Sequence, residues 1–220
     1  MKQRLLNCLA GIAMVAACFF GAVPTQGAPA MPAVVKSDFI NPNPLYRSCH
    51  ASTIVETPEG LVAAWFGGSR EGAPDVSIWL ARNTGNGWEP AEEVANGIDL
   101  KANIRYPCWN PVLFLRRNKQ LLLFYKVGPS PEEWWAIVKM SPDYGKSWTR
   151  TKRLPSGFIG PVRNKPVELI NGTLLCGSST EDKGWRVHME WTADPFGIWS
   201  RTPPLNSAFT VQAIQPTILQ

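Results

Sequence analysis

A turn motif that recurs along the chain constrains its fold more than any other feature of the sequence. Residues 141–148, Ser-Pro-Asp-Tyr-Gly-Lys-Ser-Trp, fit the pattern S-x-D-x-G-x-[ST]-W without a mismatch. In such a turn the aspartate accepts backbone N–H bonds, the glycine supplies a positive φ and the tryptophan buries its ring. Weaker copies lie at 81–88, where asparagine replaces the aspartate, and at 192–199, where the glycine is displaced by one position. Three copies predict three repeating units.

The spacing of these units predicts an all-β chain organised as a β-propeller. The tryptophans that close the motifs are 60 and then 51 residues apart, which is the period of a repeated four-stranded blade. A second ladder supports this interpretation, because a polar residue followed by Pro or Ala recurs at intervals of 60, 55 and 50 residues: His50, Asn110, Lys165 and Gln215. We expect each of these residues to open a blade, with a strand over 215–219 beginning a fourth.

Strand positions follow from the same repeat. Second strands are predicted over 61–67, 120–126 and 173–178, and third strands over 76–82, 134–140 and 185–191. Because antiparallel neighbours reverse direction at each turn, the starts of the first strands and the ends of the second strands share one end of the blades, here called the site rim. The motif turns lie at the opposite end, the turn rim. We therefore expect ligand chemistry at the site rim, from the blade-opening residues and the loops at 67–75, 127–133 and 179–183.

The first 30 residues are predicted to be a secretory signal peptide, and residues 31–220 the propeller. Lys2 and Arg4 precede an apolar run over 5–23, and small residues follow at 28–30. A membrane anchor is the weaker alternative, since the run is short for a bilayer span and nothing else in the chain is apolar enough to cross. A further alternative is a lipid anchor at Cys18. Each interpretation predicts an exported chain, secreted or periplasmic.

Charge and cysteine spacing bear on the classes of partner and cofactor. Without Lys2 and Arg4 the net charge falls from +5 to +3, which is too small and too dispersed to indicate nucleic-acid binding. Cys49, Cys108 and Cys176 show no C-x-x-C spacing and no nearby histidine pair, so no metal site is predicted and buried apolar roles are favoured. No nucleotide or other cofactor motif is present.

Several segments together resemble the bacterial and plant branch of sialidase-like proteins with BNR repeats, in which the turn motif is called the Asp-box. The resemblance covers residues 45–220 and rests on the motif and on the segments 49–54, 65–75, 106–111, 126–130, 164–166 and 178–181. It implies a six-bladed propeller and an exo-acting glycosidase that acts on a glycan. Six blades of about 50 residues need about 300 residues, and residues 31–220 number 190. We therefore expect part of a propeller, with three blades and the first strand of a fourth.

The resemblance also implies substrate-binding residues, although the transfer is partial. Family members grip the sugar carboxylate with three arginines, whereas His50 stands where the first is expected and Tyr46-Arg47 keeps the dipeptide three residues earlier. This substitution weakens the prediction of sialic acid, because the fork of arginine matches a carboxylate in a way that histidine does not. The full set of substrate-binding candidates is Arg47, His50, Arg70, Trp109, Asn110, Lys126, Trp134, Lys165 and Gln215. Among these, Trp109 and Trp134 are expected to stack on sugar rings.

Three carboxylates are the catalytic candidates. Glu71 and Asp75 share the loop in which the family places its acid/base, and a carboxyl in an aromatic cavity has a raised pKa suited to proton donation. The alternative for Asp75 is that it ends the loop by accepting backbone N–H bonds. Glu181 is the best second carboxylate, as a base for a tyrosine or a hydrogen-bond partner of sugar hydroxyls. No nucleophilic tyrosine can be assigned, because the family takes it from a later blade.

Three functions remain open on the sequence alone. The first is a secreted exo-acting glycoside hydrolase of sialidase type that removes a terminal, acidic sugar. The second is a glycan-binding propeller without turnover, which the replacement of arginine by His50 would fit. The third is a propeller glycosidase acting on a different terminal sugar, since one fold hosts many activities.

Overall fold

The computed structural model describes residue 34 and residues 36–219. The predicted signal peptide and the alternative lipid anchor at Cys18 lie outside the described residues. All strands of the described residues belong to one compact unit, which begins at Phe39. Across the described part of the chain, no helix is long and apolar enough to span a bilayer.

Three antiparallel four-stranded sheets follow one another along the chain, as the repeat predicts. The first contains β1 (Ser48–Thr57), β2 (Gly60–Gly68), β3 (Ser77–Asn83) and β4 (Glu92–Ala95). A two-stranded ribbon, β5 (Ile98–Asp99) and β6 (Ile104–Arg105), connects it to the second, which contains β7 (Cys108–Leu115), β8 (Leu121–Val127), β9 (Trp135–Ser141) and β10 (Arg150–Arg153). The third contains β11 (Val167–Glu168), β12 (Leu174–Thr180), β13 (Arg186–Thr192) and β14 (Ser200–Arg201). The predicted all-β class and the three blades are confirmed.

The segment at 215–219 was predicted to be the first strand of a fourth blade, and this detail is wrong for the described structure. The segment forms no strand. It packs against blade three, where the Gln215 N–H donates to Ser179 Oγ at 3.2 Å and the Gln215 carbonyl accepts from Asn164 Nδ2 at 2.8 Å. A strand needs a hydrogen-bonded neighbour, and the described residues offer these side chains in place of one.

The core lies between the blades because each central strand buries both faces. All seven residues of β8 are buried, which explains its uninterrupted apolar character. Alternation then divides its side chains between two cores. Leu121 and Leu123 pack with Phe66 and Leu80 of blade one, whereas Phe124 packs with residues of blade three.

The 141–148 motif forms the turn between β9 and β10 through its own side chains. Asp143 accepts hydrogen bonds from the Ser147 N–H at 2.8 Å and from the Ser147 hydroxyl at 2.6 Å. The Gly145 N–H donates to Ser141 Oγ at 2.7 Å, and Gly145 has a φ of +95°. In the weaker copy at 81–88, the side-chain oxygen of Asn83 takes the acceptor role, receiving the Gly85 N–H at 2.9 Å.

Arginine side chains join neighbouring blades at the turn rim. Arg82 of blade one donates to the Gly145 carbonyl of blade two at 2.9 Å. Arg116 of blade two donates to Glu168 Oε1 of blade three at 2.8 Å, and both side chains are largely buried. These hydrogen bonds therefore hold neighbouring blades together at the turn rim.

The opening strands of blades one and two each contain a β-bulge at the same point. The bulges show that the predicted series of blade-opening polar residues is one residue out of register in blade one. His50 pairs with Phe66 and Thr53 with Ala64, so two residues of β1 face one of β2. In blade two, Trp109 and Val112 flank the equivalent bulge. The first bulged residue has a positive φ in each case, 56° at Ala51 and 38° at Asn110. Asn110 therefore corresponds to Ala51, and the predicted correspondence with His50 is wrong.

Candidate functional site

The opening segments of the three blades meet around one axis. Lys165, just before β11, donates from Nζ to the Leu113 carbonyl of β7 at 2.9 Å and lies 3.3 Å from Thr53 Oγ1 of β1. Thr53 Oγ1 in turn accepts the Leu113 N–H at 3.3 Å. Lys165 keeps an exposed surface, and desolvation by the protein packed around its ammonium lowers its pKa to about 8. The blade-opening ladder thus brings a cationic group of blade three onto the inner strands of blades one and two.

A cavity of about 490 Å³ lies beside this junction at the site rim. Its size falls within the range of small-molecule sites, about 300–1,000 Å³. Arg163 reaches its wall from the segment before β11 and donates from Nη1 to the Ser52 carbonyl at 3.0 Å. The His50 ring meets Phe66 edge-on with 5.7 Å between centroids. The lining residues are Phe39, Ile40, Asn41, Pro44, Tyr46, Cys49, His50, Ala51, Ser52, Trp65 and Arg163.

Tyr46 and Trp65 give this cavity a rigid aromatic wall. The Tyr46 hydroxyl accepts hydrogen bonds from Trp65 Nε1 and, at 3.1 Å, from Asn41 Nδ2. The ring covers Gly67 so closely that a Cβ there would lie 2.6 Å from Tyr46 Cε2. Burial raises the pKa of Tyr46, so its phenol is protonated at neutral pH.

Asp75 and Glu71, two of the predicted catalytic carboxylates, lie on the loop after β2 and not in the cavity wall. Asp75 accepts the Ser69 N–H and the Ser69 hydroxyl, both at 2.9 Å. Desolvation acts to raise the pKa of Asp75, but these hydrogen bonds outweigh it and the pKa is lowered. This geometry matches the alternative in which Asp75 fixes the loop. Glu71 and the neighbouring Arg70 are exposed.

Glu181, the third predicted carboxylate, lies after β12 at the site rim and is half-buried. Burial raises its pKa, and the negative charge of Glu132 adds to the shift. Glu132, on the loop after β8, is fully exposed, and its pKa is lowered by a hydrogen bond with Ser130. The pKa values of Glu181 on blade three and Glu132 on blade two are thus shifted in opposite directions. Neither carboxyl lines the cavity.

The tryptophans predicted to stack on sugars lie beneath the rim surface. Trp109 and Trp134 are only 7% and 9% exposed, and their centroids are 6.1 Å apart in an edge-on contact. Trp109 also donates from Nε1 to the Gly128 carbonyl at 2.9 Å and meets Phe66 edge-on. Together with Ile159 and Val162 they form a small apolar cluster that supports the rim.

The other predicted binding residues occupy varied environments. Lys126 is completely buried and donates to the carbonyls of Pro161 and Val162, so in this arrangement it has no open path to a ligand. Asn110 is buried at its bulge, and Arg47 is exposed. Within the described residues, His50 is the one predicted binding residue that lines the cavity.

Sequence reasoning missed Arg163 and Glu132. Arg163 stands in a loop, two residues before the recognised Lys165, and its position there was the available signal. Cys108 and Cys176 are buried as expected, but Cys49 is exposed, so the predicted buried role is wrong for Cys49. In the part of the chain that the structure describes, no cluster of three His, Cys, Asp or Glu side chains is arranged to hold a metal ion.

The chain matches one protein family in sequence and several solved structures in fold. The family model described as "BNR repeat-like domain" matches residues 59–220. Among solved structures, the chain is similar to the Hadza microbial sialidase Hz136, with a TM-score of 0.59 and 15% identity over 72% of this chain and 38% of that one. The comparison with curated proteins finds no match.

Two further structures show the same likeness. Trypanosoma rangeli sialidase gives a TM-score of 0.53 at 16% identity, over 71% of this chain and 31% of that one. Zg3597, a family 117 glycoside hydrolase produced by Zobellia galactanivorans, gives 0.52 at 12% identity, over 72% of this chain and 56% of that one. The chain therefore spans between about a third and just over half the length of these structures. At such identities the likeness shows the fold, which is that of part of a sialidase-type β-propeller.

Proposed function

Because the chain belongs to the BNR repeat-like domain family, we propose that it recognises a terminal, acidic sugar at the site-rim cavity as an exo-acting glycoside hydrolase of sialidase type. The observation that carries this proposal is the convergence of Arg163 and Lys165 of blade three on the opening strands of blades one and two, next to His50. The guanidinium of Arg163 shares the cavity wall with Tyr46 and Trp65. This arrangement suits an anionic sugar, since the carboxylate meets the cation and the sugar ring meets the aromatic face.

Arg163 is the proposed carboxylate partner. A guanidinium carries five N–H donors in a planar fork, and the bond to Ser52 uses one of them. That bond also holds the side chain at the cavity wall, so less rotamer entropy remains to be lost on binding. Arg163 thereby supplies the cationic group that His50 does not reproduce.

Glu181 is the proposed general acid and Glu132 its ionised neighbour. Neither residue lines the cavity, so the proposal requires the leaving group of the substrate to extend beyond the cavity wall to reach Glu181. Glycosidases divide their chemistry between a protonated and an ionised carboxyl, and environments that push two pKa values apart support such a division. The raised pKa of Glu181 and the lowered pKa of Glu132 have this pattern. Glu71 and Asp75 stay predictions for the same role, and the lowered pKa of Asp75 favours an ionised state.

Hydrolysis of a panel of fluorogenic terminal sugars by the full-length protein tests the proposal. Arg163→Gln should raise KM for acidic sugars about 10- to 100-fold, because it removes a charged hydrogen bond worth about 1.5–3 kcal/mol, and should leave neutral sugars unaffected. Glu181→Gln should lower kcat by about 10²- to 10⁴-fold. Glu71→Gln and Asp75→Asn are measured alongside, and rates equal to wild type in both would remove these two carboxylates from the mechanism.

The matched control is Lys146→Gln. It removes one positive charge from an exposed ion pair with Glu59 at the turn rim, where surface pairs contribute little. Its kinetics should equal those of the wild type. Equal KM values for Arg163→Gln and Lys146→Gln on every acidic sugar would refute the cavity as the binding site.

A glycan-binding propeller without turnover is the second candidate. The specific observation in its favour is that no carboxylate stands among the described residues of the cavity wall. Calorimetry would then detect binding of an acidic sugar that Arg163→Gln abolishes, with no product released from any glycoside. Turnover of a neutral glycoside instead would favour the third function, a glycosidase acting on a different terminal sugar.

Export and the Asp-box assignment belong to the same proposal. Residues 1–30 carry the features of a signal peptide, and fractionation of expressing cells should recover the protein outside the cytoplasm. The hydrogen bonds of Asp143 to Ser147 support an Asp-box at 141–148.

A further inference from the structure

A group of titratable side chains lies buried between blades two and three, away from any solvent. Lys126 and Glu190 are 0% exposed, and His188 is 3% exposed. A buried charge is costly unless it is paired and hydrogen-bonded, so the partners of these groups reveal what the chain gains by keeping them. We call Lys126, His188 and Glu190 the buried trio.

Glu190, on β13, binds the backbone of a loop of the site rim. Its carboxylate accepts the Ile159 N–H at 3.1 Å and the Gly160 N–H at 2.7 Å. Ser178 Oγ lies 3.3 Å from Oε1, and His188 Nε2 lies 2.8 Å from the same oxygen. Both oxygens of this carboxylate therefore accept hydrogen bonds from backbone N–H groups of the 159–160 segment.

Lys126, on β8, binds the same loop from the other side. Its ammonium donates to the Pro161 carbonyl and, at 3.2 Å, to the Val162 carbonyl. Burial lowers the pKa of Lys126 to about 7, while the charge of Glu190 acts to raise it. The two residues thus grip four consecutive backbone units, with N–H groups held by Glu190 and carbonyls held by Lys126.

The gripped segment leads directly into the cavity wall. The Val162 N–H donates to the Gly177 carbonyl at 3.4 Å, and Gly160 has a φ of +66°, which permits the bend. The next residue, Arg163, lines the cavity and donates to the Ser52 carbonyl. The last backbone unit before Arg163 is therefore the end of a segment fixed at each of its four residues.

We propose that the buried trio positions Arg163 at the cavity wall, so that Lys126, His188 and Glu190 are positioning residues for the recognition of a sugar carboxylate. The inference rests on the proposed function for its ligand and on the loop geometry for its mechanism. The backbone of Arg163 is held in place, and its guanidinium is therefore oriented at the cavity wall before a ligand binds.

The first experiment needs no ligand. Glu190→Gln keeps the size of the side chain but places an amide donor against backbone N–H groups. We expect amide exchange in residues 158–163 to rise about tenfold or more and phenylglyoxal to modify Arg163 faster, as measured by mass spectrometry. Ser178→Ala, which removes a single donor to Glu190, should shift both quantities in the same direction and keeps the test available if Glu190→Gln does not fold.

The second experiment measures whether the effect passes through Arg163. Affinities for free N-acetylneuraminic acid and glucuronic acid are determined in a double-mutant cycle of Glu190→Gln, or Ser178→Ala, with Arg163→Gln. Glu190→Gln, or Ser178→Ala in its place, should weaken binding about tenfold in the wild-type background and less than about twofold in the Arg163→Gln background. Arg116→Gln is the matched control, because it disturbs a buried charge between the same two blades at the turn rim, and it should leave exchange at 158–163 unchanged.

The outcomes separate this inference from the proposed function. Unchanged exchange and unchanged Arg163 reactivity in both Glu190→Gln and Ser178→Ala would overturn the positioning role. Equal losses of affinity in the two backgrounds would also overturn it, since a general loss of stability acts without Arg163. Faster exchange and modification, with no binding of either acid to the wild type, would refute the proposed ligand while the mechanical role of the trio stands.

Discussion

The close contact between Gly67 and Tyr46 predicts that Gly67→Ala destabilises the protein when Tyr46 is present and stabilises it when Tyr46 is replaced by alanine. A Cβ at Gly67 would lie 2.6, 2.8 and 2.9 Å from three ring carbons of Tyr46, about 1 Å inside the optimal carbon separation of about 3.5–4.0 Å. The Tyr46 ring cannot move away freely, because its hydroxyl is hydrogen-bonded to Trp65 and Asn41 and its centroid lies 4.9 Å from that of the Trp79 ring in a tilted contact.

The cost of Gly67→Ala follows from what the ring must give up. Weakening one or two hydrogen bonds at about 0.5–1.5 kcal/mol each, together with an aromatic contact of similar size, gives a loss of about 1–3 kcal/mol. Alanine causes no backbone strain at this position, since the φ of Gly67 lies outside the left-handed region. In a Tyr46→Ala background the clash is absent, and Gly67→Ala should stabilise the fold by about 0.4–1 kcal/mol by restricting the unfolded chain.

Urea unfolding followed by tryptophan fluorescence measures all four proteins of this cycle. Midpoints should shift at constant m-value, so that the free energies of unfolding are comparable. A destabilisation of Gly67→Ala that has the same size with and without Tyr46 would refute the argument, because the penalty would then arise from the backbone and not from the ring.

Three further predictions concern the blade interfaces and pH. Glu168→Gln should lower the free energy of unfolding by about 2–4 kcal/mol, because it leaves Arg116 buried without its carboxylate; a loss in urea unfolding below about 0.5 kcal/mol would contradict this. Gly145→Ala should cost about 1–3 kcal/mol because φ is +95° there, and an unchanged melting temperature would argue against the turn geometry. Stability should rise between about pH 7 and pH 10, because the pKa of Lys126 is lowered from 10.5 to about 7 on folding and the unfolded chain then binds more protons. Lys126→Met should flatten this rise, and identical pH slopes for the two proteins would count against it.

Much of the fold could be predicted because the same pattern of apolar runs and turn residues occurs in each of the three blades. The predicted bounds of the second and third strands agree with the structure to within two residues, from an apolar run followed by a turn signal. The β-bulge could not be predicted. Ala51 and Asn110 adopt positive φ without the glycine that usually marks such a position, so the ladder of polar residues was aligned one position out of register.

The candidate site was less predictable because its contacts join distant parts of the chain. Lys126 interrupts an apolar strand and was therefore predicted to bind a ligand. The charge of Glu190, 64 positions later in the sequence, offsets part of the effect of burial on Lys126, and strand alternation does not reveal this neighbour. For Arg163 the sequence offers only its place two residues before Lys165, and its contact with Ser52, 111 positions earlier, cannot be predicted from that.

The bond between Arg163 and Ser52 also constrains the order in which the protein is made. Its partners are 111 residues apart, and ribosomes add about 5–20 residues per second, so the carbonyl emerges roughly 6–20 seconds before the guanidinium that binds it. Throughout that interval the nascent chain has blade one and then blade two without a finished cavity wall. The cavity wall is thus completed only after the segment that leads into the third blade has left the ribosome.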